Sequence, residues 1–245
     1  MSLLTIVQDA AAILGVLNSV PTTVVNTYDA TINQLVALAN TEGQNLSESY
    51  QWQELTIPVS FAATNNPVSP GNTVSDQGAI ETHAPGFLYI IDDTLWLQNQ
   101  PFKLLGPLSA QQRTALEAYR VQGAAWAYWI EGGHLYLSRP TLSTQNITFR
   151  YQSKYWVRQP DGTTTNRLTA DTDTTLIPER CVMLGTIWRW LSRNGLPYQQ
   201  EYLDYQQAVT QYAGRDGTRT VIDASGQSPS YNPQQSIIGG VMVVR

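Results

Sequence analysis

The sequence predicts an α+β protein: a helical bundle built from the N- and C-terminal helices, an inserted antiparallel β domain, and an extended C-terminal arm. Three observations lead there. Apolar residues recur at three- and four-residue spacing over residues 3–14, 29–50 and 178–212. Between the second and third of these segments the period changes to two, as in Leu55, Ile57, Val59 and Phe61. From Gly214 the chain turns polar and rich in Gly, Ser, Pro and Gln before an apolar stretch, Ile237–Val244. The expected division is residues 1–50 and 178–213 for the helical part, 51–177 for the β insert and 214–245 for the arm.

The first helix is expected over Leu3–Leu14. Leu3, Leu4, Val7, Ala10, Ala11 and Leu14 form its stripe, Ser2 can cap it and Gly15 stops it. A longer helix follows from Asp29 to Tyr50, with Ile32, Leu35, Ala39 and Leu46 on one face. Asn26 or Thr27 is the expected N-cap, with Asp29 in the first turn where it favours the helix dipole. Gly43 weakens this helix by about 1 kcal/mol relative to Ala.

Asn65 to Gly78 reads as a loop. Phe87–Ile91 and Thr94–Leu97, joined by Asp92-Asp93, read as a hairpin. Leu108 to Arg120 reads as a helix capped by Ser109. The clearest local signal is Tyr128-Trp129-Ile130 and Leu135-Tyr136-Leu137 around Gly132-Gly133, a pair of strands about a tight turn that glycine reaches at positive φ. Ile147, Phe149, Tyr151 and Tyr155 alternate as the next strand, and Pro160-Asp161-Gly162 turns the chain. Pro178-Glu179 opens a helix that is apolar on nearly every side from Val182 to Leu191, which marks it for the core and for a subunit interface. Tyr198–Tyr212 follows as the last helix, with Tyr202, Tyr205, Val209 and Tyr212 on one stripe.

Charge is sparse and unevenly placed. Charged residues make up 13% of the chain, half of the roughly 25% typical of soluble domains. Uncharged polar surface loses less on burial, which suits a protein covered by other subunits. Residues 1–102 hold nine acids and no Lys or Arg; residues 103–245 hold all 14 basic residues and ten acids. This predicts distinct acidic and basic faces.

No motif for catalysis emerges. His83 lies near Pro85-Gly86 and His134 on a turn. Cys181, the single cysteine, excludes an intramolecular disulfide and sits among apolar neighbours. Asp171-Thr172-Asp173 has the spacing that begins many calcium loops, but the remaining ligands of such a loop are missing, and a loop leading into a helix accounts for the acids more simply. No catalytic, cofactor-binding or metal-ligating residue is therefore assigned. The aromatics are not interleaved with a basic patch, and the pI of about 5.0 lacks the footprint of a nucleic-acid binder. No run is long and apolar enough for a membrane span, and Met1 to Leu17 lacks the basic start of a signal peptide.

The order of segments from Tyr128 to Leu137, then Phe149-Arg150-Tyr151, Leu176-Ile177-Pro178-Glu179, Thr186-Ile187-Trp188-Arg189-Trp190 and Asn194-Gly195-Leu196-Pro197-Tyr198, resembles tailed-phage structural proteins. With the two opening helices ending in Tyr50-Gln51-Trp52, the layout over about residues 1–213 resembles the head-to-tail adaptors of short-tailed phages, the tail tubular protein A group. The resemblance implies a dodecameric ring of this chain in the virion neck, assembled in the host cytoplasm. Its partners would be the portal protein and a tail or nozzle protein, with double-stranded DNA passing without specific binding, and no cofactor or membrane. The candidate interface residues are Trp188 and Trp190, with Ile237, Ile238, Val241 and Val243 on the arm, and Glu42 and Glu48 are the candidate walls of the DNA channel that the resemblance implies, where like charge would keep phosphate from sticking. Another neck or tail-tube component, or a carbohydrate-binding or hydrolytic β module of a tail, remain the alternatives.

Overall fold

The computed structural model describes residues 2–16, 20–64, 74–98, 100, 103–119, 126–139, 141 and 145–217. Helix α1 (Leu3–Leu14) begins where Ser2 accepts a hydrogen bond from the Thr5 amide, and ends at Gly15, which takes a left-handed φ of 63°. Helix α2 (Ala30–Ser49) is capped by Asp29 itself, whose carboxylate accepts from the Thr31 and Ile32 amides. The cap expected at Asn26 or Thr27 therefore lies two to three residues later, because a short carboxylate reaches the first free amides directly.

A 3₁₀ turn (Gln53–Leu55) leads into β1 (Thr56–Ala62). Then come β2 (Ser75–Ala79), the single turn α3 (Ile80–His83), β3 (Phe87–Ile90), β4 (Trp96–Leu97) and α4 (Ala110–Tyr119). Next are β5 (Tyr128–Glu131), β6 (His134–Leu137) and β7 (Asn146–Ser153). Short strands β8 (Val157–Arg158), β9 (Thr164–Thr165) and β10 (Thr174–Thr175) precede α5 (Glu179–Arg193) and α6 (Gln199–Gly217).

All strand pairings between these elements are antiparallel. Strand β7 is central to the first sheet, with β1 along one edge and both β3 and β4 on β7's other side. The hairpin expected from Phe87–Ile91 and Thr94–Leu97 is thus absent: the two strands run in the same direction along β7. Asp92 and Asp93 form a bulge between them, held by the Ile91 amide and the Thr94 hydroxyl on the Arg150 carbonyl. Asp92-Asp93 carries a turn signal, but a turn signal does not say whether the chain reverses. The hairpin of β5 and β6 does form, with Gly132 and Gly133 at φ 57° and 80°, and β2 adds to β6. Ser109 caps α4 reciprocally with Gln112.

Two hydrophobic cores result. The β core gathers Leu95, Leu97, Tyr128, Leu137, Ile147 and Phe149 from both larger sheets. The helical core joins α1, α2, α5 and α6, and it also takes Trp156, Val157, Leu168 and Ile177. Residues 156–177, grouped by sequence with the β insert, therefore side with the helices in packing. Trp156 is fully buried, and a Cβ on Gly43 would lie 2.1 Å from its ring. Gly43 is thus not a defect in α2 but the gap that admits the indole. Asn40 reinforces this junction by exchanging hydrogen bonds with both the N–H and the carbonyl of Leu168.

Asp171 and Asp173 also serve the frame. Asp171 accepts from the Val24 and Val25 amides, and Asp173 from the Thr169 and Ala170 amides. The carbonyls of the same two residues receive the Leu4 and Leu3 amides, so the acidic loop stitches the start of α1 and not that of α5. The last helix runs on through Gly214 to Gly217, which shifts the expected start of the arm. Residues Ile237, Ile238, Val241 and Val243 lie outside the described residues.

Candidate assembly surfaces

Helix α5 packs against α1, α2 and α6, and its inner face is Cys181, Val182, Gly185, Thr186 and Ile187. Trp188 and Trp190, the candidate interface residues of this helix, are half-buried at the margin of the core. Trp188 meets three tyrosines of the following segment. Its ring lies 5.1 Å from Tyr202 at 67°, 6.0 Å from Tyr205 and 6.2 Å from Tyr198. The Arg189 guanidinium sits 4.6 Å above the indole, a cation–π contact. Tyr202 and Tyr205 share one face of α6, and Tyr198, just before the helix, joins them against this single tryptophan.

The cluster continues into exposed apolar surface. Leu196 is 44% and Leu203 57% exposed, and both flank the aromatic group in sequence. A shallow depression is lined by Trp188, Tyr198, Tyr202 and Leu203, and a second, on the other side of Trp188, by Leu38, Thr41, Arg189 and Arg193. The indole N–H groups of Trp188 and Trp190 are both shielded from solvent and have no acceptor among the described residues. A shielded donor without an acceptor is costly, so this margin of α5 is not fully satisfied among the described residues.

Beneath this surface lies Glu42. Its side chain is 0% exposed and accepts a hydrogen bond from Arg189 Nε. A Cβ at Gly185 would fall 2.3 Å from its Cγ, so α5 carries a glycine to admit the carboxylate. Burial, then the nearby Glu42 carboxylate, pushes the Tyr205 phenol up, with Arg189 opposing. Glu42 is thus a buried ion-pair member and cannot face a channel. The spacing Ile32, Leu35, Ala39, Leu46 already carries position 42 into the apolar stripe, and that was the signal to read. Glu48 is exposed near the carboxyl end of α2.

Across α5, a groove of about 800 Å³ opens between α1, the amino end of α5 and the carboxyl end of α6. Half-buried Leu176, Pro178, Met183 and Tyr212 give it its apolar wall over buried Ile6, Trp52 and Ile177, and Asp9 and Glu54 stand exposed at it. These positions come from separate parts of the chain, and no local sequence pattern joins them.

The groups able to do chemistry are dispersed. Cys181 is fully buried in the helical core, and burial, followed by the Glu42 charge, pushes its thiol up to about 11. His83 stacks flat on Phe61 at 3.9 Å, and His134 Nδ1 lies 3.1 Å from Asp76 Oδ2, both in the β part of the molecule. Among the described residues no group of three or more His, Cys, Asp or Glu is placed to hold a metal ion. Among them, too, no helix is long and apolar enough to cross a membrane. No protein-family model matches the chain, and comparison with the curated proteins gives no match.

Proposed function

We propose that this chain is a structural subunit of a phage virion, a head-to-tail adaptor that assembles as a dodecameric ring between portal and tail. The helices of residues 3–49 and 179–217 act as one bundle, the β part projects from it, and residues beyond Gly217 form an arm that engages a neighbour. The observation that carries the reading is the Trp188 surface. It combines half-buried Trp188, Tyr198, Tyr202 and Tyr205 with exposed Leu196 and Leu203. Such a patch has the composition of an interface core, rich in Trp, Tyr and Arg with few other charges.

The rival reading, a sugar-binding or hydrolytic module, needs an aromatic platform beside paired carboxylates. The groove across α5 has Trp52 and Glu54, yet Trp52 is 2% exposed and offers no open ring face. In the adaptor reading the acid-only first 102 residues keep passing DNA from sticking, through exposed acids such as Glu48 and not through Glu42.

Light scattering on the wild type and on Leu203→Asp tests this directly. Leu203 is exposed, so the charge leaves the fold intact and removes the ring. A wild-type ring that is unchanged in Leu203→Asp moves the interface elsewhere. A wild-type monomer that stays monomeric with portal present contradicts the adaptor reading.

A further inference from the structure

The groove between α1, the amino end of α5 and the carboxyl end of α6 has a feature that the Trp188 surface lacks: the chain leaves the described structure at its edge. Arg215 and Asp216, in the last turn of α6, line the groove. The Gln53 amide donates to the Asp216 carboxylate at 2.7 Å, and the Gln53 side chain donates to the Asp216 carbonyl. Gln53 belongs to the turn whose neighbours Trp52 and Glu54 line the same groove. The end of α6 is thereby tied to the groove wall, and residue 218 starts there.

Twenty-eight residues follow Gly217. Their one long apolar run is Ile237–Val244, in which Ile237, Val241 and Val243 share one face of an extended chain. The 19 residues 218–236 between helix and run are mostly Gly, Ser, Thr, Gln and Pro. A Gly/Ser-type chain of that length has a root-mean-square span of roughly 24 Å, and a run linked so close to a site would bind it with an effective concentration of about millimolar. The groove's size falls within the range that takes small ligands or a few side chains. Its lining is apolar, and four carboxylates, Asp9, Glu54, Glu179 and Asp216, outnumber the two guanidiniums of Arg180 and Arg215. That balance matches a segment followed by Arg245.

We propose that in the isolated subunit the run Ile237–Val244 folds back on its own chain and occupies this groove. The groove is then self-covered, and the tether between helix and run remains the part open to protease. The inference stands on the groove and the exit point of α6, and it concerns the subunit before any assembly.

Hydrogen exchange read by mass spectrometry tests it on the full-length protein, compared with the double variant Ile237→Asp/Val241→Asp. Neither substitution changes a residue of the described helical core. Peptides covering residues 174–183 and 209–217 exchange several-fold faster in the double variant, and those covering 146–153 are unchanged. Reciprocally, Met183→Asp speeds exchange in residues 237–244. Unchanged groove peptides overturn the proposal, as does a change confined to residues 186–205, which would seat the run on the Trp188 surface. Protection that fades on dilution assigns the groove to a second copy and equally overturns docking in cis. Scattering recorded on the same samples reports assembly separately.

Discussion

Arg189 and Glu42 provide the sharpest test of the helical core. Replacing Arg189 by Met keeps the stem that packs near Trp188 and removes the charge. The Glu42 carboxylate is then left 0% exposed without its cation. Removing one member of a buried pair costs about 3–5 kcal/mol. The reverse change, Glu42→Gln, is milder, because the Arg189 side chain is 26% exposed and can turn to water. It loses one charge-assisted hydrogen bond, about 1–3 kcal/mol. The double variant Glu42→Gln/Arg189→Met leaves no buried charge, so it is more stable than the sum of the single effects predicts, with a coupling of about 1–3 kcal/mol. Urea unfolding followed by both tryptophan fluorescence and circular dichroism reads these differences from the midpoints at constant slope. Two outcomes refute the reasoning: Arg189→Met within about 0.5 kcal/mol of wild type, or Glu42→Gln the costlier single change.

Gly43→Ala should destabilise by about 1–3 kcal/mol through overpacking against Trp156, although Ala favours an exposed helix by about 1 kcal/mol; a raised melting temperature would show that the indole does not occupy that gap. Cys181 should resist a thiol reagent at pH 8 until denaturant is added. Because its folded pKa of about 11 exceeds the ordinary 9.0, its contribution to stability is full below about pH 9 and is lost as pH rises toward 11, so Cys181→Ala should flatten the alkaline fall in midpoint. Trp188→Ala should cost less than the roughly 3–5 kcal/mol of a fully buried Trp, since it is half-buried, while abolishing assembly; equal assembly by this variant counts against the interface.

Much of the frame was legible in local chemistry. Ser2, Gly15, Ser109 and the Gly132-Gly133 turn act through neighbours in sequence, so their roles show in the residues themselves. What failed depends on distant partners. Gly43 reads as a flaw until Trp156 is brought against it, and Asp92-Asp93 reads as a reversal until β7 is seen to hold both flanking strands. Glu42 was read by charge as a surface residue, although its register put it inside; Arg189 and Gly185 from α5 make that burial tolerable. Trp188 lies on a helix apolar on nearly every side, and periodicity there does not say which side faces the core. The groove across α5 draws on α1, the 3₁₀ turn, α5 and α6, and no local pattern joins them.

Native mass spectrometry of the full-length protein, alone and mixed with the portal protein of the same phage, tests the central claim most directly. The account predicts a closed homo-oligomer, dodecameric and bound to portal in the mixture. A chain that stays monomeric in both samples, at concentrations where portal itself is assembled, would contradict it.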